Sequence, residues 1–78
     1  MHVVIARVDE VFFDGEAQSM TVPGAEGEMT VLGEHMPLIT TLKEGVILVR
    51  ELPGAEPLRY PVSGGILEIN RDGATVVL

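Results

Sequence analysis

The sequence predicts a small all-β domain, a β-sandwich of about eight to ten short strands with no significant helix. Short apolar or β-branched runs recur about every eight to ten residues, which is the spacing typical of sandwiches and barrels. The 9 glycines and 5 prolines fall mainly between these runs, where turns belong. A chain of 78 residues has room for one domain, residues 1–78, and for no second core.

The first third of the chain contains three strand signals. Residues 3–8 are apolar on both faces, as in a strand inside a sandwich. Phe12 and Phe13 follow, and we expect them to anchor one end of the core. Asp14-Gly15 predicts a tight turn. Residues 17–22 then alternate in polarity, as in a strand with one wet face.

The middle of the chain, residues 24–42, predicts a strand, an exposed elbow and a second strand. Pro23-Gly24 predicts a type II turn before it. We define the elbow as residues 32–37, with the sequence Leu-Gly-Glu-His-Met-Pro, and expect it to form part of a partner-binding surface. Residues 43–45 predict a short hairpin turn into a strand at residues 46–50.

The last third predicts three more strands. Pro61 has no N–H to donate, so its strand lies at an edge or contains a bulge. The paired glycines Gly64 and Gly65 indicate a bulge or a close approach of another backbone. Residues 70–73, Asn-Arg-Asp-Gly, predict a four-residue hairpin loop before a final strand at residues 74–78.

Charge and composition exclude several classes of partner. Twelve acidic residues against five basic ones give a net charge of −7, which disfavours contact with nucleic acid and direct docking to anionic lipid. Cysteine is absent, so disulfides, thiolate nucleophiles and cysteine zinc sites are excluded. No apolar run approaches the length of a membrane span, and Met1-His2 opens into a strand pattern rather than a signal peptide.

The sequence predicts no catalytic, cofactor or metal site. It contains neither a nucleophile elbow nor a phosphate-binding glycine loop. Carboxylate and imidazole groups that can bind a metal ion occur at Glu26, Glu28, Glu34 and His35. Their spacing matches no ligand pattern, so we interpret them as a solvated acidic rim. An enzymatic function therefore has no specific support.

Four motifs follow one another along the chain: Phe13-x-Gly15; Val22-Pro23-Gly24-Ala25-Glu26-Gly27-Glu28-Met29; His35-x-Pro37-Leu38 with Leu42 and Gly45 beyond; and Ser63-Gly64-Gly65-Ile66-Leu67-Glu68-Ile69. In this order they resemble a known family, the amino-terminal β-sandwich domain of the ε subunit of rotary F-type ATP synthases, called δ in mitochondria. Residues 74–78 resemble the closing strand of the family. The resemblance spans almost the whole chain.

The chain also departs from the family pattern. The family usually has glycine, proline, glycine and a small residue at four positions where this chain has Thr30, Gly33, Glu34 and Met36, respectively. We therefore expect the elbow backbone, and the partner surface that it contacts, to differ from those of typical family members. The family continues into a carboxyl-terminal helical hairpin, which this sequence lacks. Two interpretations stay open, a truncated chain and a naturally short subunit. Because the ATP-contacting helices of the family are missing from this sequence, we expect the isolated domain neither to hydrolyse nor to bind nucleotide tightly. For a naturally short subunit, we also expect no ε-type brake on ATP hydrolysis.

The resemblance implies a non-catalytic subunit of the central rotor, which couples the γ subunit to the membrane c-ring during ATP synthesis. It places Glu28, Glu34, His35 and Met36 in the ring-facing interface, which we expect to be polar and wet. We expect γ to cover an exposed apolar strip drawn from residues 46–49 and from the strands around Ser63-Gly64-Gly65, although the sandwich face that meets γ stays open.

The resemblance also implies a peripheral location, at the cytoplasmic face of a bacterial inner membrane. It leaves proton and sodium coupling open. The alternative function is a stand-alone β-sandwich module that binds a soluble partner, and a pocket with converging polar groups would favour this alternative.

Overall fold

The computed structural model describes residues 1–33 and 36–78, and these residues form nine strands without any helix. The strands are β1 (His2–Arg7), β2 (Glu10–Glu16), β3 (Ser19–Gly24), β4 (Gly27–Leu32), β5 (Leu38–Leu42), β6 (Gly45–Arg50), β7 (Leu58–Val62), β8 (Gly65–Asn70) and β9 (Gly73–Val77). The predicted all-β class is confirmed.

The nine strands form one curled sheet whose two halves stack as the layers of a sandwich. Layer 1 has the order β5-β8-β9-β1-β2, and layer 2 has the order β4-β3-β6-β7. All described neighbours pair antiparallel except β1 and β9, which run parallel. The layers are joined where Gly24 of β3 pairs with Leu42 of β5. The amide N of Lys43 donates to the carbonyl O of Pro23 at 2.9 Å beside this junction.

The core lies between the layers and is entirely apolar. Strand alternation turns every second side chain inward, so that both layers contribute to one cluster. The buried side chains are Val3, Ile5, Ala17, Met20, Val22, Val31, Leu42, Ile47, Val49, Val62, Leu67, Ile69, Ala74 and Val76. None of the described polar or charged residues is buried. Such a close-packed interior resists deformation.

A β-bulge directs both phenylalanines toward the core. Ile5 pairs with Phe13 whereas the next residue of β1, Ala6, pairs with Val11, so Phe12 is the extra residue of β2. Phe12 and Phe13 both pack against the core cluster. The Phe13 ring meets Tyr60 of β7 edge to face, with centroids 6.4 Å apart. The expected anchoring role is confirmed, and the aromatic pair joins the layers at the β2–β7 side.

Three turns lie elsewhere than predicted because long-range strand pairing overrides local turn chemistry. Asp14-Gly15 is not a turn; β2 runs through it, with Gly15 opposite Val3. Pro23-Gly24 lies inside β3, and the turn is formed by Ala25 and Glu26. Residues 43–45 do not close a hairpin. They cross between the layers, because β5 pairs with β8 and β6 pairs with β7.

The last third follows the prediction more closely. Pro61 lies in β7, the strand that ends layer 2, so its edge position is confirmed. Gly65 has a φ of 145°, and a Cβ added there would lie 2.8 Å from the carbonyl O of Val77. This confirms a close backbone approach at the paired glycines. The predicted four-residue loop is a two-residue loop, because Asn70 and Gly73 pair with each other.

Strand directions place the connections at two opposite ends of the sandwich. One end, called the elbow end below, contains the end of β4, the start of β5 and the loops at residues 17–18, 51–57 and 71–72. The opposite end contains the loops at residues 8–9, 25–26, 43–44 and 63–64; because Leu78 lies there, it is called the carboxyl end of the sandwich. The two ends present different side chains to partners.

Candidate protein-binding surfaces

The outer side of β4 holds the first candidate surface. Val31 is buried and Met29 packs against the core, whereas Glu28, Thr30 and Leu32 are exposed on the opposite side of the strand. The Thr30 hydroxyl lies 3.1 Å from the hydroxyl of Thr21 on β3. Among the described strands, β4 pairs with β3 alone, so its other edge is open to a partner.

The predicted ring-facing residues are spread along this strand. Glu28 is the second residue of β4, opposite Pro23 and close to the carboxyl end, whereas Met36 lies beyond the strand at the elbow end. Four residues of strand span about 13 Å between Glu28 and Leu32. Glu34 and His35 lie outside the described residues. A surface that includes both Glu28 and Met36 therefore has to follow the length of β4.

Large apolar side chains are exposed at the elbow end of the sandwich. Leu32 is 56% exposed and Met36 is 79% exposed. At the same end of the sandwich, Leu52 in the β6–β7 loop is 67% exposed. These side chains give the elbow end exposed apolar area. The expectation of a polar ring-facing interface includes Glu34 and His35, which lie outside the described residues, and it stays a prediction.

A second candidate surface is an apolar row across the outer face of layer 1. Val11, Ala6, Val77 and Ile66 are opposite one another in register on the neighbouring strands β2, β1, β9 and β8. Val11 is 62% exposed, Val77 50% and Ile66 49%. The pattern of residues 3–8, apolar on both faces, is the signal in the sequence for such a row, but the sequence did not reveal which strands adjoin.

The predicted apolar strip is divided between the two layers. Val46 and Leu48 point outward from layer 2, while Ile47 and Val49 are buried. Ile66, which follows the Ser63-Gly64-Gly65 turn, points outward from layer 1. Residues 46–49 and the glycine turn therefore do not share one exposed strip. The longer continuous apolar surface is the row on layer 1.

An exposed cluster of polar groups lies toward the elbow end of the same outer face. His2 Nε2 is 2.7 Å from Asp14 Oδ1, and His2 Nδ1 is 3.3 Å from Glu16 Oε2. The amino-terminal nitrogen of Met1 donates to the carbonyl O of Ala17 at 3.0 Å, beside Glu16. These contacts fix the start of β1 against β2. They also place Asp14, paired with His2, at the outward position next to the apolar row.

A groove lies at the carboxyl end of the sandwich. It has a volume of about 600 Å³ and is lined by Arg7, Glu44, Pro61, Val62, Ser63, Gly64 and Leu78. The guanidinium carbon of Arg7 lies 5.5 Å from the centre of the Phe12 ring, which orients this cation over the aromatic face. The lining is mixed, with Arg7 and Glu44 as its charged members and no buried polar side chain.

Within residues 1–33 and 36–78, no group of three or more histidine, cysteine or acidic side chains is arranged to hold a metal ion. In the same part of the chain, no helix is long and apolar enough to cross a membrane.

Comparison with known proteins identifies the family. The sequence profile of the ATP synthase delta/epsilon chain β-sandwich domain matches residues 1–78. An ATP synthase epsilon chain 2 from Burkholderia orbicola is 36% identical over 77 residues, which cover 99% of this chain and 51% of the relative. An ATP synthase epsilon chain from Mesorhizobium japonicum is 45% identical over 62 residues, covering 80% of this chain and 45% of the relative. The chain thus spans about half the length of these relatives.

Solved structures show the same fold. A chain of the mitochondrial ATP synthase of Euglena gracilis, solved as OSCP, F1 and c-ring, superposes with a TM-score of 0.86 at 28% identity over 96% of this chain and 48% of that chain. A chain from the central stalk and c-ring of the Tetrahymena thermophila enzyme has a TM-score of 0.78 at 15% identity, over 99% of this chain and 61% of that chain. With the strand order, the apolar core and the full-length profile match in agreement, this chain belongs to the family of ATP synthase delta/epsilon-chain β-sandwich domains.

Proposed function

We propose that this chain is a non-catalytic rotor domain of a rotary ATP synthase and links the γ subunit to the membrane c-ring. The full-length match of residues 1–78 to the family profile is the observation that carries this proposal. It is supported by the fold shared with a chain of an assembly that contains F1 and a c-ring. The location proposed with it is peripheral, at the cytoplasmic face of a bacterial inner membrane.

The packing of the domain suits a rotor part. Its core is a single cluster to which both layers contribute, so the layers cannot slide without breaking contacts across the whole interior. Phe13 and Tyr60 join the layers on one side, and the Gly24–Leu42 pairing joins them on the other. Because its two layers are joined at both sides, the domain can transmit torque between two attached partners without one layer sliding over the other.

The ring contact in this proposal follows the outer side of β4 and continues to the elbow. It comprises Glu28 and Met36 among the described residues, together with Glu34 and His35 from the sequence-based assignment. Thr30 and Leu32 lie between them on the same side of the strand. The charge of Glu28 is exposed and is therefore screened by salt, so we expect a higher ionic strength to weaken the electrostatic contribution to this contact. The apolar contribution of Leu32 and Met36 is expected to be unaffected.

Crosslinking tests this assignment cleanly because the chain contains no cysteine. Single substitutions Glu28→Cys, Thr30→Cys and Leu32→Cys place a thiol along the outer side of β4, and Val77→Cys places one on layer 1 as a matched exposed control. In the assembled synthase, the three β4 thiols are expected to crosslink to a c-ring that carries cysteines in its polar loops. The Val77 thiol is expected not to. Ring crosslinks from Val77 alone would contradict the proposed orientation.

A further inference from the structure

The chain contains two Asp-Gly dipeptides, Asp14-Gly15 and Asp72-Gly73. In this dipeptide the glycine has no Cβ, so nothing shields its backbone nitrogen from the preceding side chain. The nitrogen can attack the carboxyl carbon Cγ of the aspartate and close a succinimide ring. Because the two sites have the same local chemistry, the fold decides which of them can react.

The fold holds Asp14-Gly15 inside a paired strand. Asp14 lies opposite Val4 and Gly15 lies opposite Val3 in the ladder between β2 and β1. The Oδ1 atom of Asp14 also lies 2.7 Å from Nε2 of His2. Ring closure at this site would have to break the contact with His2 and turn the peptide between Asp14 and Gly15 out of its strand geometry. We therefore expect Asp14 to be protected in the folded chain.

Asp72-Gly73 lies instead at the end of the two-residue loop between β8 and β9. Asp72 is exposed, and its carboxylate has no hydrogen-bond or ion-pair partner within residues 1–33 and 36–78. The backbone nitrogens of Asp72 and Gly73 both donate to Oδ1 of Asn70, at 2.9 and 3.1 Å. The side-chain oxygen of Asn70 therefore binds the N–H group that ring closure has to release.

We infer that Asp72 is the site of spontaneous isoaspartate formation in the folded chain, and that Asn70 slows the reaction. The Gly73 nitrogen forms a bond to Cγ of Asp72, while the carboxyl hydroxyl and the proton of the nitrogen leave together as water. A water molecule then adds to either carbonyl of the ring. Attack at Cγ restores aspartate, whereas attack at the main-chain carbonyl of Asp72 breaks its bond to the nitrogen and leaves isoaspartate. One water is lost and one is gained, so the reaction needs no oxidant, reductant or cofactor.

The modification changes the backbone where the structure has no room for a change. Isoaspartate carries the main chain through Cβ and Cγ, which adds one atom directly before Gly73. Gly73 pairs with His2 in the parallel ladder of β9 and β1, and even a Cβ at this position would clash with the carbonyl oxygen of His2. Isoaspartate at position 72 is therefore expected to loosen the start of β9 from β1.

The full chain is aged at constant temperature in native buffer and, in parallel, in urea, and peptide mapping by mass spectrometry locates isoaspartate at each site. In urea, Asp14 and Asp72 are both expected to react, because the fold no longer distinguishes them. In native buffer, isoaspartate is expected at Asp72, while Asp14 stays unchanged. Equal or greater isoaspartate at Asp14 in the folded chain, or none at Asp72, would overturn the inference.

Two variants test the role of Asn70. Asn70→Ala is expected to raise the native rate at Asp72 about two- to tenfold, the factor that corresponds to one lost hydrogen bond. Asn70→Asp keeps an acceptor oxygen on the side chain and is expected to react at nearly the rate of the unsubstituted chain. The rates in urea should be equal in all three chains, which separates the lost contact from altered local chemistry. Equal rates in native buffer would contradict the role of Asn70.

The aged chain also tests the effect on the fold. The isoaspartate form is separated from the unmodified chain by reversed-phase chromatography and refolded. It is expected to unfold at a lower urea concentration than the unmodified chain, because β9 no longer pairs closely with β1. An unchanged unfolding midpoint would contradict the loosening of β9.

Discussion

A Cβ added to Gly73 would lie 1.9 Å from the carbonyl oxygen of His2, closer than any real Cβ contact. Gly73 begins β9 opposite His2 of β1, in the parallel pairing of these two strands. Its φ of 153° is also one that other residues rarely adopt. Backbone proximity and backbone conformation thus require glycine at the same position, where layer 1 brings the start and the end of the chain together.

Gly73→Ala is therefore expected to destabilise the fold by about 3 kcal/mol or more, because backbone atoms of β1 must move to admit the methyl group. Chemical denaturation with a two-state fit measures the change. Gly33→Ala is the matched control, since a Cβ there would have no neighbour within 4 Å, and its effect is expected to stay within about 1 kcal/mol. Equal losses in the two variants would contradict the close approach of β9 to β1.

The apolar core predicts a contrast between buried and exposed isoleucine. Ile47 is completely buried, whereas Ile39 is 69% exposed on the outer face of layer 1. Ile47→Ala is expected to cost about 2–5 kcal/mol of unfolding free energy, from lost burial and from the cavity left behind. Ile39→Ala is expected to cost below about 1 kcal/mol. Thermal or urea unfolding of the two variants provides the comparison, and a larger loss at Ile39 would mean that the strand register is wrong.

The aromatic contact between the layers predicts an energetic coupling. Phe13 and Tyr60 meet edge to face at an interplanar angle of 64°. A double-mutant cycle with Phe13→Leu and Tyr60→Leu is expected to give a coupling of about 0.5–1.5 kcal/mol. A parallel cycle with Phe12→Leu and Tyr60→Leu serves as the control and should give a smaller value. Additive effects of Phe13→Leu and Tyr60→Leu would show that the rings do not support each other.

Sequence reasoning predicted the fold well and the turns less well, for a physical reason. Strand segments follow from alternation and β-branched composition, which are local properties, so the nine strands fall close to the expected positions. Asp14-Gly15 has strong local turn chemistry but lies inside a ladder, because Gly15 pairs with Val3 twelve positions earlier in the chain. Pairing between distant segments decides such cases, and a single sequence does not show it.

The candidate surfaces, too, could be predicted only in part from the sequence. The motif around Glu28 indicated a partner surface through the family resemblance, and the structure adds that Glu28 and Met36 lie toward opposite ends of β4. The apolar row could not be predicted, because Val11 and Ile66 become part of one surface only through the strand order β2-β1-β9-β8. Residues 46–49 had the right composition for an exposed strip, but alternation buries Ile47 and Val49.

The most direct test of the rotor function is the mass of the assembly that forms when this chain is mixed with γ and the c-ring of its own synthase. Native mass spectrometry at low and high salt measures it. We predict one complex that contains all three components at low salt, from which the ring separates more readily than γ as salt rises. Failure of the chain to join γ at either salt concentration would contradict the rotor function and would favour the stand-alone binding module.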